Sequence, residues 1–138
     1  MPSAHSQLED LAQLQNIARE FAEGFNTGDL DRIMRFYGDT YVDINLRNPV
    51  QSHTERRAYY TQVIKRGFQV SVRPDDIQIH GDFAFVRGTV ELIHPEAPGG
   101  SAPTELRYLE IVRRQTDGSW QVIWGMDGPV QEFTPTAQ

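Results

Sequence analysis

The last long hairpin, from Thr104 to Asp127, limits the fold more than any other stretch. It reads TELRYLEIVRR, a turn QTDGS, and then WQVIWGMD. Leu106, Tyr108, Leu109, Ile111 and Val112, followed by Trp120, Val122, Ile123 and Trp124, are the β-branched, aromatic and leucine residues that suit a pleated surface. Asp117-Gly118 supplies the turn that reverses the chain. Apolar side chains occur on both parities of both strands, so each face of the sheet is expected to meet something. Helices encoded upstream can cover one face. The other then needs a second sheet or a second subunit.

A chain of 138 residues is expected to form one domain, here residues 6–127 with a tail at 128–138. Its net charge of −6 is the wrong sign for binding a phosphate backbone, so no nucleic-acid partner is expected. Arg113-Arg114, the one adjacent basic pair on this hairpin, reads as a solvated strand end. Without cysteine there is no thiolate nucleophile and no sulfur-ligated metal. No apolar run reaches the roughly 20 residues of a membrane span. The first residues, MPSAHSQLED, lack the basic and apolar regions of a signal peptide, and a cytoplasmic location is expected.

Upstream, Ser6 and Glu9 have capping-box spacing, and Leu8, Leu11, Leu14, Ile17, Phe21 and Phe25 recur at three- and four-residue intervals. This predicts an amphipathic helix to about Asn26. Asp29 is placed to cap a short second helix carrying Leu30, Ile33, Met34 and Tyr37 and stopping at Gly38. Residues 39–46 read as a strand. Ser52 and Glu55 form a second capping box, before a third helix with Ala58, Tyr59, Val63 and Ile64 on one face. The apolar period then changes from 3.6 to 2, in Val70, Val72, Ile77 and Ile79 with Pro74 interrupting, and in a long strand from Phe83 to Ile93. HPEAPGGSAP reads as a loop with turn chemistry at PGG. Helices first and strands afterwards imply an α+β domain, with the helices on one face of a mostly antiparallel sheet.

The stretch FAEGFNTGDLDRIMRFYGDTYVDIN, the strand GDFAFVRG and the hairpin RYLEIVRRQTDGSWQVI together resemble the nuclear-transport-factor-2-like superfamily, with its SnoaL-like and ketosteroid-isomerase-like domains. The resemblance covers roughly residues 8–127. It implies a cone-like, cystatin-like fold of about three helices on a curved sheet, a pocket for a small hydrophobic molecule, and frequent dimerisation through the outer sheet face. Three catalytic patterns of the superfamily match only partly. Asp43 stands near the ketosteroid isomerase base, but Phe21 and Phe25 occupy the first helix where that pattern needs a tyrosine. Asp43 and Asn45 fall on the Tyr-x-Asn pair of limonene epoxide hydrolase, while Gly88 and Val90 stand where its Arg-x-Asp belongs. Trp124 and Met126 replace the pocket histidines of the dehydratase type.

If Tyr41, Asp43 and Asn45 point inward, a carboxylate sits in an aromatic cavity with Tyr59 and Trp124 as walls. With no fixed cation beside it, lost hydration would favour its neutral form and make it a general base for a proton next to a carbonyl. Asn45 would donate a hydrogen bond. If instead Val42, Ile44 and Leu46 face the core, the odd set meets solvent; parity is not settled by counting. Asp127 is read as pairing with Arg107 in the pocket or as capping a Gly128-Pro129 turn. Glu91 and Glu110 read as cross-strand partners of arginines. His5, His53, His80 and His94 lack ligand spacing, so neither metal nor cofactor is expected. The reading is therefore a pocket protein for a small hydrophobic molecule, with cofactor-free acid–base chemistry on a carbonyl compound. The alternative is a non-catalytic binding or dimerising module.

Overall fold

The structure, a computed structural model, describes residues 4–45, 50–95 and 103–130, the side chains of residues 4–6 and 45 excepted. Among these residues three helices precede most of a six-stranded sheet. They are α1 (Ala4–Thr27), α2 (Leu30–Met34) and α3 (His53–Lys65), with strands β1 (Tyr37–Asn45), β2 (Gln51–Ser52), β3 (Gln69–His80), β4 (Phe83–Ile93), β5 (Thr104–Arg114) and β6 (Trp120–Pro129). The strand order is β2-β1-β6-β5-β4-β3. All neighbours are antiparallel except β1 and β6, which run parallel. The expected PGG turn, Leu46 and most of the tail lie outside the described residues.

α1 lies on the sheet through Leu14, Ile17 and Phe25, all nearly inaccessible to water. It begins at Ala4, so Ser6 is inside the helix and not at its cap, and Leu8 is exposed. Gly28, at φ +76°, makes the left-handed turn that α1 needs to hand over to α2. Asp29 then caps α2 by accepting from the Arg32 amide at 3.1 Å. The expected extension of α2 to Tyr37 does not occur. Tyr37 opens β1, where its ring packs edge-on against Tyr41 at 4.7 Å between centroids. Ser52 and Glu55 form the expected reciprocal cap on α3, at 3.3 and 3.1 Å.

The buried face of α3 is carried by Arg56 and Tyr60, four residues apart, while Ala58 and Tyr59 are exposed. The aliphatic residues alone had suggested a face rotated by one position.

β3 runs unbroken across Pro74, with a register shift between Pro74 and Asp76 that leaves Asp75 as the extra residue. A second irregularity governs β6. Ile111 faces Trp124 and Val112 faces Val122, so Ile123 is inserted between the two registers. Trp120 and Val122 therefore point inward before it, and Gly125 and Asp127 after it. One inserted residue reverses the parity of the strand.

Among the described residues nothing covers the outer face. In one cross-strand row Val42, Trp124, Ile111 and Phe85 stand side by side, and in the next Ile44, Met126 and Leu109. Phe85, Leu109 and Met126 are each more than two-fifths exposed, and Trp124 is 54 % exposed.

Candidate functional site

Two buried polar clusters join the helices to the sheet. Near the start of α1, Asp10 accepts from both terminal nitrogens of Arg114 at 2.6 Å and from the Trp120 indole at 3.1 Å. Arg114 also lies over the Trp120 ring and pairs with Asp82 at 3.3 Å. These hydrogen bonds, the Arg114 bond first, hold the Asp10 carboxyl below its ordinary value. Arg114 is thus a structural anchor and not the solvated strand end expected from the sequence.

The second cluster surrounds a cavity of about 60 Å³, room for a few waters or a small ligand group. α1 supplies Ile17, Ala18 and Phe21, α3 supplies Arg56 and Tyr60, and β3 and β4 supply Val72 and Val90. The polar wall comes from Tyr37, Tyr41 and Asp43 on β1, Tyr108 and Glu110 on β5, and Asp127 on β6.

Asp43 is 3 % exposed. Its Oδ2 accepts from the Tyr41 hydroxyl at 2.7 Å and stands 3.3 Å from Arg56 Nε. That nitrogen is near enough for an ion pair but is not aligned for a hydrogen bond, and Asp43 Oδ1 has no hydrogen-bond partner among the described residues. The premise of a carboxylate without a fixed cation is therefore not met, because α3 provides one. Arg56 also donates to Asp127 at 3.2 Å and to Gln51 at 3.0 Å, and lies 4.7 Å from the ring centres of both Tyr59 and Tyr60. Asp127 engages Arg56 within a strand that continues to Pro129, so it caps no turn. Burial raises the Asp127 carboxyl above its ordinary value, with Arg56 opposing.

Of the residues expected in the site, the fold brings Tyr41, Asp43 and Asp127 together. Tyr59, Arg107 and Trp124 do not line the cavity. Tyr59 is displaced by Tyr60 one position along α3, and Trp124 is turned outward beyond the Ile123 insertion. Arg107 is exposed, opposite Gly128. The Asn45 side chain lies outside the described residues; its backbone pairs with Asp127.

Glu110 was assigned to a cross-strand arginine, and its place in the cavity corrects that. Burial pushes its carboxyl up to about 7; the Tyr37 hydroxyl, donating at 3.2 Å, opposes this, while Asp43 and Asp127 add to it. Glu110 pairs with Gly125 on β6, and Gly125 with Asp43 on β1. The two carboxylates thus share one inward row, two strand spacings or about 10 Å apart at Cα. Only a glycine fits between them, since a Cβ on Gly125 would lie 2.5 Å from the Tyr41 hydroxyl. An acid on an inward parity beside Tyr108 was the available signal.

With the fold and cavity in place, comparison with known proteins becomes informative. The profile of the SnoaL-like domain matches residues 18–123. The chain belongs to the SnoaL-like family. No curated protein sequence matches this SnoaL-like chain significantly. Solved structures share its fold at low identity. A cystatin-like domain of unknown function from Nostoc punctiforme has a TM-score of 0.77 at 15 % identity, over 90 % of this chain and 79 % of that one. A ketosteroid isomerase-like protein from Erwinia carotovora atroseptica has a TM-score of 0.72 at 23 % identity, covering 90 % and 98 %. A nuclear-transport-factor-2-like protein from Novosphingobium aromaticivorans has a TM-score of 0.76 at 12 % identity, covering 88 % and 82 %. These likenesses are likenesses of fold. No described helix is long and apolar enough to cross a membrane.

Proposed function

We propose that the cavity binds a small hydrophobic molecule and performs cofactor-free proton transfer on it, with Asp43 as the base. The observation that supports this most strongly is the unpartnered Oδ1 of Asp43 in an aromatic-walled cavity. A buried acceptor left without a donor costs stability, and such groups concentrate where a ligand supplies what the fold withholds. Tyr41 and Arg56 hold the other oxygen and fix the carboxylate, while Gly125 leaves room for the Tyr41 ring. On a carbonyl compound, Asp43 takes the proton from the carbon next to the carbonyl and the electron pair moves onto the carbonyl oxygen.

The test is exchange of the α-protons of cyclohexanone in D₂O, followed by NMR. The intact protein accelerates exchange over buffer, and Asp43→Asn loses on the order of 100-fold of that acceleration. No acceleration at protein concentrations that bind the ketone would leave the non-catalytic binding module.

A homodimer through the outer sheet face belongs to the same proposal. The two uncovered apolar rows suit a self-complementary two-fold contact. Such a contact buries at least the roughly 1,200 Å² of a specific interface. Sedimentation is expected to give a dimer at tens of micromolar; a monomer there contradicts it.

A further inference from the structure

The cavity wall is rich in acid. Among the described residues its lining holds the carboxylates Asp43, Glu110 and Asp127 and the guanidinium of Arg56. Arg56 is engaged by Asp43, Asp127 and Gln51. Glu110, on the far side of Gly125, has only the neutral phenol of Tyr37 as a hydrogen-bond partner among the described residues. The other titratable groups of this lining are Arg56 and Tyr60 of α3, Tyr37, Tyr41 and Asp43 of β1, Asp127 of β6 and, on its own strand, Tyr108; α1 contributes no charge to this wall.

Buried negative charge must be neutralised by a proton or a cation. Burial raises the carboxyls of Glu110 and Asp127 alike. Two buried groups of this wall, Asp43 Oδ1 and Arg56 Nε, have no hydrogen-bond partner among the described residues, an independent sign that a ligand group belongs here. No group of three described acidic or histidine residues is close enough to hold a metal ion, so a larger cation suits the spacing better. Tyr37 and Tyr108 flank Glu110 with aromatic surface, which attracts organic ammonium groups.

We propose that the ligand of this cavity carries a protonated amine, seated against Glu110 and the rings of Tyr37 and Tyr108. The inference rests on the cavity being the ligand site and names the charge of that ligand.

The experiment compares two probes of similar shape, isobutylammonium and isobutanol, by amide chemical-shift titration of the intact protein at pH 5.5 and pH 8. At pH 8 the ammonium binds about tenfold more tightly than the alcohol, as one cation–aromatic contact with a carboxylate allows. At pH 5.5, with Glu110 protonated, that preference shrinks. Glu110→Gln lowers ammonium affinity at pH 8 to the level of the alcohol. The pH comparison on the parent stands even if this variant does not fold. Isobutanol binding as tightly as the ammonium at pH 8 overturns the inference and leaves the ligand site intact. A preference that survives Glu110→Gln also overturns it. Shifts from neither probe overturn both the inference and the ligand site.

Discussion

Asp10 and Asp43 are equally buried, each 3 % exposed, and each faces an arginine, yet the fold treats them differently. Asp10 has both oxygens filled by aligned donors from Arg114 and Trp120. Asp43 has one oxygen filled and the other without a partner among the described residues. The first tethers the start of α1 to the β5–β6 end of the sheet and leaves nothing to react. The second lines a cavity, beside a glycine that makes room for the Tyr41 ring. The contrast shows that burial and an ion pair do not mark a working carboxylate. A donor-less oxygen on a side chain that lines a cavity does.

The largest stability effect is expected at the satisfied end. Asp10→Ala strands Arg114 and should cost about 3 kcal/mol, the low end for breaking a buried pair, because the Arg114 side chain keeps 25 % of its surface in water. Denaturant unfolding at pH 7 checks this, and a loss under about 1 kcal/mol would make the anchor dispensable.

Glu110→Gln should act with the opposite sign. The folded carboxyl lies at about 7 against an ordinary 4.5, so its charged form opposes folding. That cost is absent below pH 4.5, grows as pH rises toward 7 and is complete above it. The interval corresponds to up to about 3 kcal/mol. The variant should therefore be more stable than the parent at pH 8 and indistinguishable from it at pH 4. Equal stabilities at both values would mean that the cavity is wet.

Much of the fold was legible because period-2 and period-3.6 patterns are local. The long hairpin, the Asp29 and Ser52 caps and the helices-then-strands order all followed from residues within four of one another. The site was less legible because its geometry depends on remote events. Ile123 reverses the parity of β6, and nothing in WQVIWGMD marks the insertion, so Trp124 was assigned to the cavity instead of the outer face. Arg56 is buried because Asp43, Asp127 and Gln51 receive it, and a face drawn from apolar residues omitted it. Glu110 lacked an arginine partner because its donor, Tyr37, comes from 73 positions earlier.

A smaller effect is expected at Gly125. Gly125→Ala pushes the Tyr41 hydroxyl from its seat, at about 1–3 kcal/mol of overpacking, and slows ketone exchange by displacing the group that holds Asp43. Exchange at the parental rate would show that the Tyr41 contact is not used. Smallest for the fold itself is Trp124→Arg, a change on an exposed residue expected to move monomer stability by less than about 0.5 kcal/mol. It should nevertheless convert a dimer to a monomer in sedimentation, and an unchanged dimer would move the interface elsewhere.

The most direct test of the contrast is carboxyl-carbon NMR titration of Glu110 and Asp10 in one sample. Glu110 is expected to titrate at about 7, raised by burial in the cavity with two other carboxylates, and Asp10 below its ordinary value, held there by Arg114. Glu110 titrating with the ordinary carboxylates, near 4.3, would contradict a dry cavity short of cations.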